Sequence, residues 1–171
     1  AAPGTSVTAA LRSPVPLYLL AFYAVFWAVM AISPHDRFAW FLENLLVFLG
    51  IGWLIWAYRK RPLSNASYVL ITLFFCLHTI GSHYTYSETP IGYWISNLLG
   101  IERNHYDRIV HFSFGLLLSY PLHEYITRQA QPRGDWSLAF AVLFVASASL
   151  AYELIEWTVA VVVDKDGALA F

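Results

Sequence analysis

The sequence predicts an all-α protein, a polytopic transmembrane helical bundle. Two compositional facts and one pattern carry the prediction. Of the 171 residues, 58% are apolar and only 12% charged, against about 45–50% and about 25% in an ordinary soluble domain. Aromatic residues reach 18% and the mean hydropathy is +0.55. A chain this short leaves much of its surface facing outward, and water cannot solvate that much apolar area. The pattern is a succession of apolar stretches that can cross a bilayer, which takes about 20 helical residues at about 1.5 Å each.

Residues 1–14, rich in Gly, Ser, Thr, Ala and Pro, read as a flexible tail too polar for a signal-peptide core. The first span runs from Val15 to Ile32 and stops at Ser33-Pro34, where proline discourages continuation. The second runs from Phe38 to Tyr58 and meets Arg59-Lys60-Arg61-Pro62. The third begins near Ser67, turns polar at His78 and reaches Tyr84. Glu88-Thr89-Pro90 then leads into Ile91 to Leu99, too short to span; with Tyr93 and Trp94 it reads as an interfacial helix. The fourth span covers Tyr106 to Thr127, with polar groups at both ends. The fifth, Trp136 to Val163, is the longest and implies tilt. With no internal repeat and no low-complexity linker, residues 15–171 read as one helical membrane domain.

Several function classes are excluded. The net charge is −1, so there is no basic field for nucleic acid. The single cysteine, Cys76, allows neither an internal disulfide nor a cysteine-based zinc site, and reads as a packed small residue. No Gly-rich phosphate loop or nucleophile elbow occurs. Orientation follows the positive-inside rule. The N-terminal side carries Arg12, Arg59, Lys60, Arg61, Arg128 and Arg133, and the other carries Arg37, Arg103, Arg108 and Lys165. The N-terminus is therefore expected in the cytoplasm and the 83–105 loop outside.

Alternation of five spans gathers polar groups at that outer end. Glu43 and Asn44 fall early in the second span, His78 and His83 late in the third, and Glu88 and His105 in the loop. Asp107 and His111 fall early in the fourth span, and Glu153 and Glu156 late in the fifth. Ionisable groups inside a membrane are costly and face a bundle interior or a wet cavity. Asp107 and His111 are i, i+4 and share a face with Gly115; Glu153 and Glu156 are i, i+3, with Ser149 and Ala160 on the same stripe. The small run Ala146-Ser147-Ala148-Ser149 admits close helix packing. Two carboxylates on one turn need a cation, an arginine or a shared proton. His78 and His83 sit about 140° apart on a regular helix, so they converge only if the helix breaks at Gly81-Ser82. With that break, His78, His83, Asp107, His111, Glu153 and Glu156 form a candidate site for a divalent metal such as Zn, Fe or Mn.

Other readings stand beside it. The cluster can be interhelical glue, with Asp107, Arg103 and Arg108 as an interfacial ion-pair network, or part of a proton or solute path. No broken-helix pair supports transport. His123-Glu124, at the far end of the fourth span, reads as a helix-end charge pair. Trp56, Tyr58, Trp94, Tyr120 and Trp136 fit aromatic belts.

Three stretches resemble the YjdF-like family of bacterial inner-membrane proteins, itself similar to the VanZ-like group. They are His78-Thr-Ile-Gly-Ser-His83-Tyr-Thr-Tyr with Glu88-Thr-Pro90, Arg103-Asn-His-Tyr-Asp107-Arg-Ile-Val-His111-Phe, and Tyr152-Glu-Leu-Ile-Glu156-Trp. The VanZ-like group has a similar Asp-basic-x-x-His-Phe segment and a later intramembrane Glu, matched here by Asp107, Arg108, His111, Phe112 and Glu153. The resemblance implies an inner-membrane location and hints at envelope-lipid chemistry. It also implies a sixth helix after Asp164–Phe171.

Two functional readings follow. In the first, the outer-leaflet pocket binds or acts on an envelope lipid, with metal-assisted or acid/base chemistry at Asp107, His111, Glu153 and Glu156. Arg103, Arg108 and Glu88 then hold the substrate, the two arginines taking a phosphate. In the second, the chain is a non-enzymatic subunit of a larger membrane complex. The expected partners are membrane lipids or other membrane subunits, and no nucleic acid.

Overall fold

The computed structural model describes residues 13–132 and 135–163, and among them it contains six helices and no strand. They are α1 (Val15–Met30), α2 (Arg37–Lys60), α3 (Asn65–His83), α4 (Pro90–Leu99), α5 (Tyr106–Ala130) and α6 (Trp136–Val163). Most of the expected tail lies outside the described residues, as do residues 164–171, after which the resemblance implies a sixth helix.

Local chemistry sets the ends. Pro14 and Pro16 flank the start of α1, where missing N–H groups cost nothing. Asp36 caps α2, its carboxylate accepting from the N–H groups of Phe38 and Ala39, both at 2.8 Å. Arg59 and Lys60 complement the dipole at the other end of α2. Ser64 caps α3. Gly100 ends α4 at a φ of 67°, a left-handed cap that favours glycine.

Packing centres on α3 and α5. α1 and α2 lie against α3, α5 crosses α3, and α6 lies against α5. The interior mixes apolar residues such as Val47, Leu63 and Ile71 with small polar ones: Asn44, Ser67, Thr79, Ser82 and Ser113 are buried. Small and hydroxylated residues let helices approach closely in a medium where apolar side chains gain little by clustering. The Tyr23 and Thr79 hydroxyls are 2.8 Å apart, joining α1 to α3. Asn44, fully buried, accepts from Trp27 Nε1 at 2.5 Å and donates to the Trp40 carbonyl at 2.6 Å. Large apolar side chains such as Phe22, Leu49, Phe112, Leu116 and Leu150 stand outside, the arrangement lipid solvates.

Alternation of the helices is as expected. The His35 N–H donates to the His83 carbonyl at 2.9 Å, placing the end of α1 beside the end of α3. At the far end, Glu124 on α5 accepts from the N–H of Ser64 at 2.9 Å and from the hydroxyls of Ser64 and Ser67 at the start of α3. The spans are less uniform than expected. By length and apolarity alone, α2, α3 and Trp136–Ile155 of α6 suffice to cross a membrane. α1 has only 16 residues. α5 has 25 but carries Asp107, Arg108, His111, His123, Glu124 and Arg128, and sits between α3 and α6.

Candidate functional site

α2, α3, α5 and α6 enclose a cleft of about 620 Å³. Its walls are apolar, with Val47, Gly50, Phe74, Phe114, Val145 and Ala148 among them, and Leu63, Pro121 and Leu122 line it as well. Pro121 interrupts the α5 hydrogen-bond ladder and is buried. The cleft's polar lining is His78, Tyr86, His111 and Tyr152, with Ser149. On α5, His111 and Leu122 are about 16 Å apart at about 1.5 Å per residue. One leaflet's hydrocarbon is about 15 Å deep.

Two carboxylate-supported groups make up the polar end. In the first, the Tyr152 hydroxyl donates to Glu43 Oε2 at 2.6 Å, linking α6 to α2. The Tyr86 hydroxyl lies 3.5 Å from the same oxygen and 2.7 Å from His78 Nδ1. His78 Nε2 is 3.2 Å from the backbone carbonyl of Glu43, which can only accept, so Nε2 carries the hydrogen. In the second group, His111 Nε2 lies 3.4 Å from Asp107 Oδ1 and Nδ1 lies 3.4 Å from Glu153 Oε1. The two groups meet at the Tyr152 ring, whose centroid is 5.7 Å from that of His111.

Asp107 and His111 share a face of α5 as their i, i+4 spacing predicts, Glu153 of α6 meets His111, and His78 lies at the same end. His83 does not join them. α3 runs unbroken through Gly81-Ser82, so the two histidines keep their divergent directions, and His83 Nδ1 faces the Met30 carbonyl at 2.7 Å. The bare position at Gly81 serves a different end: a methyl there would collide with the Tyr86 ring. Tyr86 reaches His78 because Thr85 and Tyr86 both take left-handed backbone, with φ of 53° and 54°, a conformation non-glycine residues adopt at a cost.

Glu88 is exposed and accepts from the Tyr93 hydroxyl at 3.0 Å, a bond that pushes the Tyr93 pKa up. Arg108 is exposed beside His105, with Nη1 to Nδ1 at 3.1 Å. Arg103 stands in the turn before α5, its carbonyl accepting from Ser96 at 2.8 Å. The Glu156 side chain lies outside the described residues. Among the described residues no three His, Cys, Asp or Glu side chains gather as a metal-holding group. His83 turns instead to the Met30 carbonyl.

Glu43, Tyr86 and Tyr152 complete the site beyond the residues singled out by spacing. Tyr152 continues the stripe Val145, Ala148, Ser149, which lines the cleft, so the i, i+3, i+4 rule could have found it. No spacing rule announces Tyr86, because a left-handed turn delivers it.

A family model described as a predicted membrane protein, DUF2238, matches residues 15–171. The chain belongs to that family. The "Inner membrane protein YjdF" of Escherichia coli (strain K12) is 38% identical to this chain over 127 residues. The match covers 74% of this chain and 61% of that protein, so the chain spans about three fifths of the length of the curated relative it matches. No solved structure matches it significantly.

Proposed function

We propose that this DUF2238 protein binds an amphipathic envelope lipid in the cleft between α2 and α6, tail along the apolar walls and head at Glu43, His78, Tyr86, His111 and Tyr152. The observation that carries this reading is the cleft's polarity gradient: apolar walls about one leaflet deep, ending at a group of imidazoles and phenols backed by carboxylates. Small-molecule sites occupy about 300–1,000 Å³, mostly apolar with a few convergent polar groups, and the cleft fits that description. Arg103 and Arg108 sit before and at the start of α5, where a lipid phosphate would lie. The name of the Escherichia coli relative and the Lys/Arg distribution support an inner-membrane location with the N-terminus in the cytoplasm. The likeness of the Asp107, Arg108, His111, Phe112 and Glu153 pattern to VanZ-like proteins adds to the envelope-lipid reading.

Native mass spectrometry of protein released in mild detergent tests this. Wild type is expected to keep about one lipid per chain, and Ala148→Phe, which fills the cleft wall, to lose it while keeping its helicity. Equal lipid retention by both proteins would overturn the reading.

A further inference from the structure

A second groove, of about 270 Å³, lies between α1, α2 and α3. Leu54, Ile71 and Phe75 line both it and the large cleft, so the two share part of one wall. Its sides are apolar, formed by Leu20 of α1, Ile51 and Ile55 of α2, and Phe75 of α3. The hydroxyls along it already face protein partners. Thr72 donates to the Tyr68 carbonyl at 2.8 Å, Tyr68 accepts from the Leu63 N–H at 3.2 Å, and Tyr23 lies 2.8 Å from Thr79. Charge enters at one end only, with Arg59. From Ile51 to Arg59 α2 rises about 12 Å, close to the depth of one leaflet's hydrocarbon, about 15 Å.

The charged end is cationic. Arg61 is committed to the Arg128 carbonyl, and Arg128 pairs with Glu124. Arg59 and Lys60 are exposed, and among the described residues no carboxylate pairs with either. We propose that this groove is a second lipid site, which holds one acyl chain of an anionic phospholipid with its phosphate at Arg59 and Lys60. A guanidinium matches two phosphate oxygens at once, and basic pockets between spans select anionic heads. A zwitterionic lipid brings its own ammonium to compete for that phosphate. A free anion gains nothing from the apolar walls, so the groove and the cations together specify a lipid. The site does not depend on what the large cleft holds.

The test uses the full chain carrying Ala148→Phe, which fills the large cleft, stripped of lipid in detergent. Native mass spectrometry then compares lipids of identical chains. Phosphatidylglycerol is expected to bind about fivefold tighter than phosphatidylcholine. Adding Arg59→Gln and Lys60→Gln should bring that ratio toward one at unchanged helicity. Thr72→Phe, which fills the groove, should weaken phosphatidylglycerol by a similar factor, and Leu20→Trp repeats that test from the exposed α1 wall. Equal binding of the two lipids, or a preference that the double variant keeps, would overturn the proposal. A preference that both groove-filling variants keep would overturn it as well, reducing the cations to a bare anion-attracting surface. A stable dimer that binds neither lipid would give the groove to a second copy. None of these failures touches the reading of the large cleft, which rests on wild type compared with Ala148→Phe.

Discussion

Glu43 holds contacts from three different segments: Tyr152 of α6, Tyr86 of the turn after α3, and His78 of α3. Its side chain is only 20% exposed, so it works as a fixed acceptor around which the phenols and imidazole are aligned. Tyr86 depends in turn on Gly81. Gly81→Ala is expected to push the Tyr86 ring off α3, break its bond to His78 and cost about 1–3 kcal/mol, the usual scale for overpacking. Thermal unfolding in detergent should show that loss together with reduced lipid retention; an unchanged melting temperature would contradict the packing. At this scale the sequence was legible where helix geometry alone decides. The i, i+4 relation of Asp107 and His111 survives folding because both lie on one uninterrupted helix. The convergence of His78 and His83 did not, because it required a break that α3 does not make. Tyr86 was illegible because its position depends on two left-handed residues that composition does not mark.

Elements are held by polar ties at their ends. Gly92 and Asn104 fit so closely that a methyl at Gly92 would collide with the Asn104 side chain, which binds the Thr89 carbonyl at 3.0 Å and accepts from Tyr106 N–H at 3.0 Å. These bonds fix α4 against the start of α5. At the opposite end, Glu124 satisfies the first turn of α3 and pairs with Arg128 at 2.5 Å. The helix-end pairing expected of His123-Glu124 is thus a bridge between helices, with His123 Nε2 3.0 Å from the Ser137 hydroxyl of α6. Glu124→Ala leaves those donors without their acceptor and is expected to destabilise by about 1–3 kcal/mol, lowering the melting temperature while the remaining folded protein keeps its cleft lipid. Loss of that lipid would mean the two ends are coupled. Helix positions were readable from the sequence to within a few residues, because Pro14, Asp36, Pro62, Pro90 and Gly100 punctuate the chain. The spanning status of α5 was less so, since Asp107, Arg108, His111, His123, Glu124 and Arg128 lower its hydropathy and its place between α3 and α6 is not written in any average.

The molecule exposes many large apolar side chains and buries polar ones such as Asn44, Ser67 and Thr79 among apolar ones such as Val47 and Ile71, as suits a medium without a hydrophobic driving force between helices. Placing the N-terminus in the cytoplasm predicts that Ser87→Cys is labelled by an impermeant maleimide from the outer face and Arg59→Cys only after the membrane is opened, in a Cys76→Ala background. The reverse pattern would invert the bundle and put the cleft's polar end in the inner leaflet. The central claim is that the cleft holds a lipid tail, and a lipid with a photoreactive group near its chain terminus tests it most directly. Crosslinks that saturate with lipid and map to the cleft's far end, at Leu63, Pro121 and Leu122, are the predicted result. Labelling that never saturates and falls only on outward residues such as Phe22, Leu116 and Leu150 would contradict it.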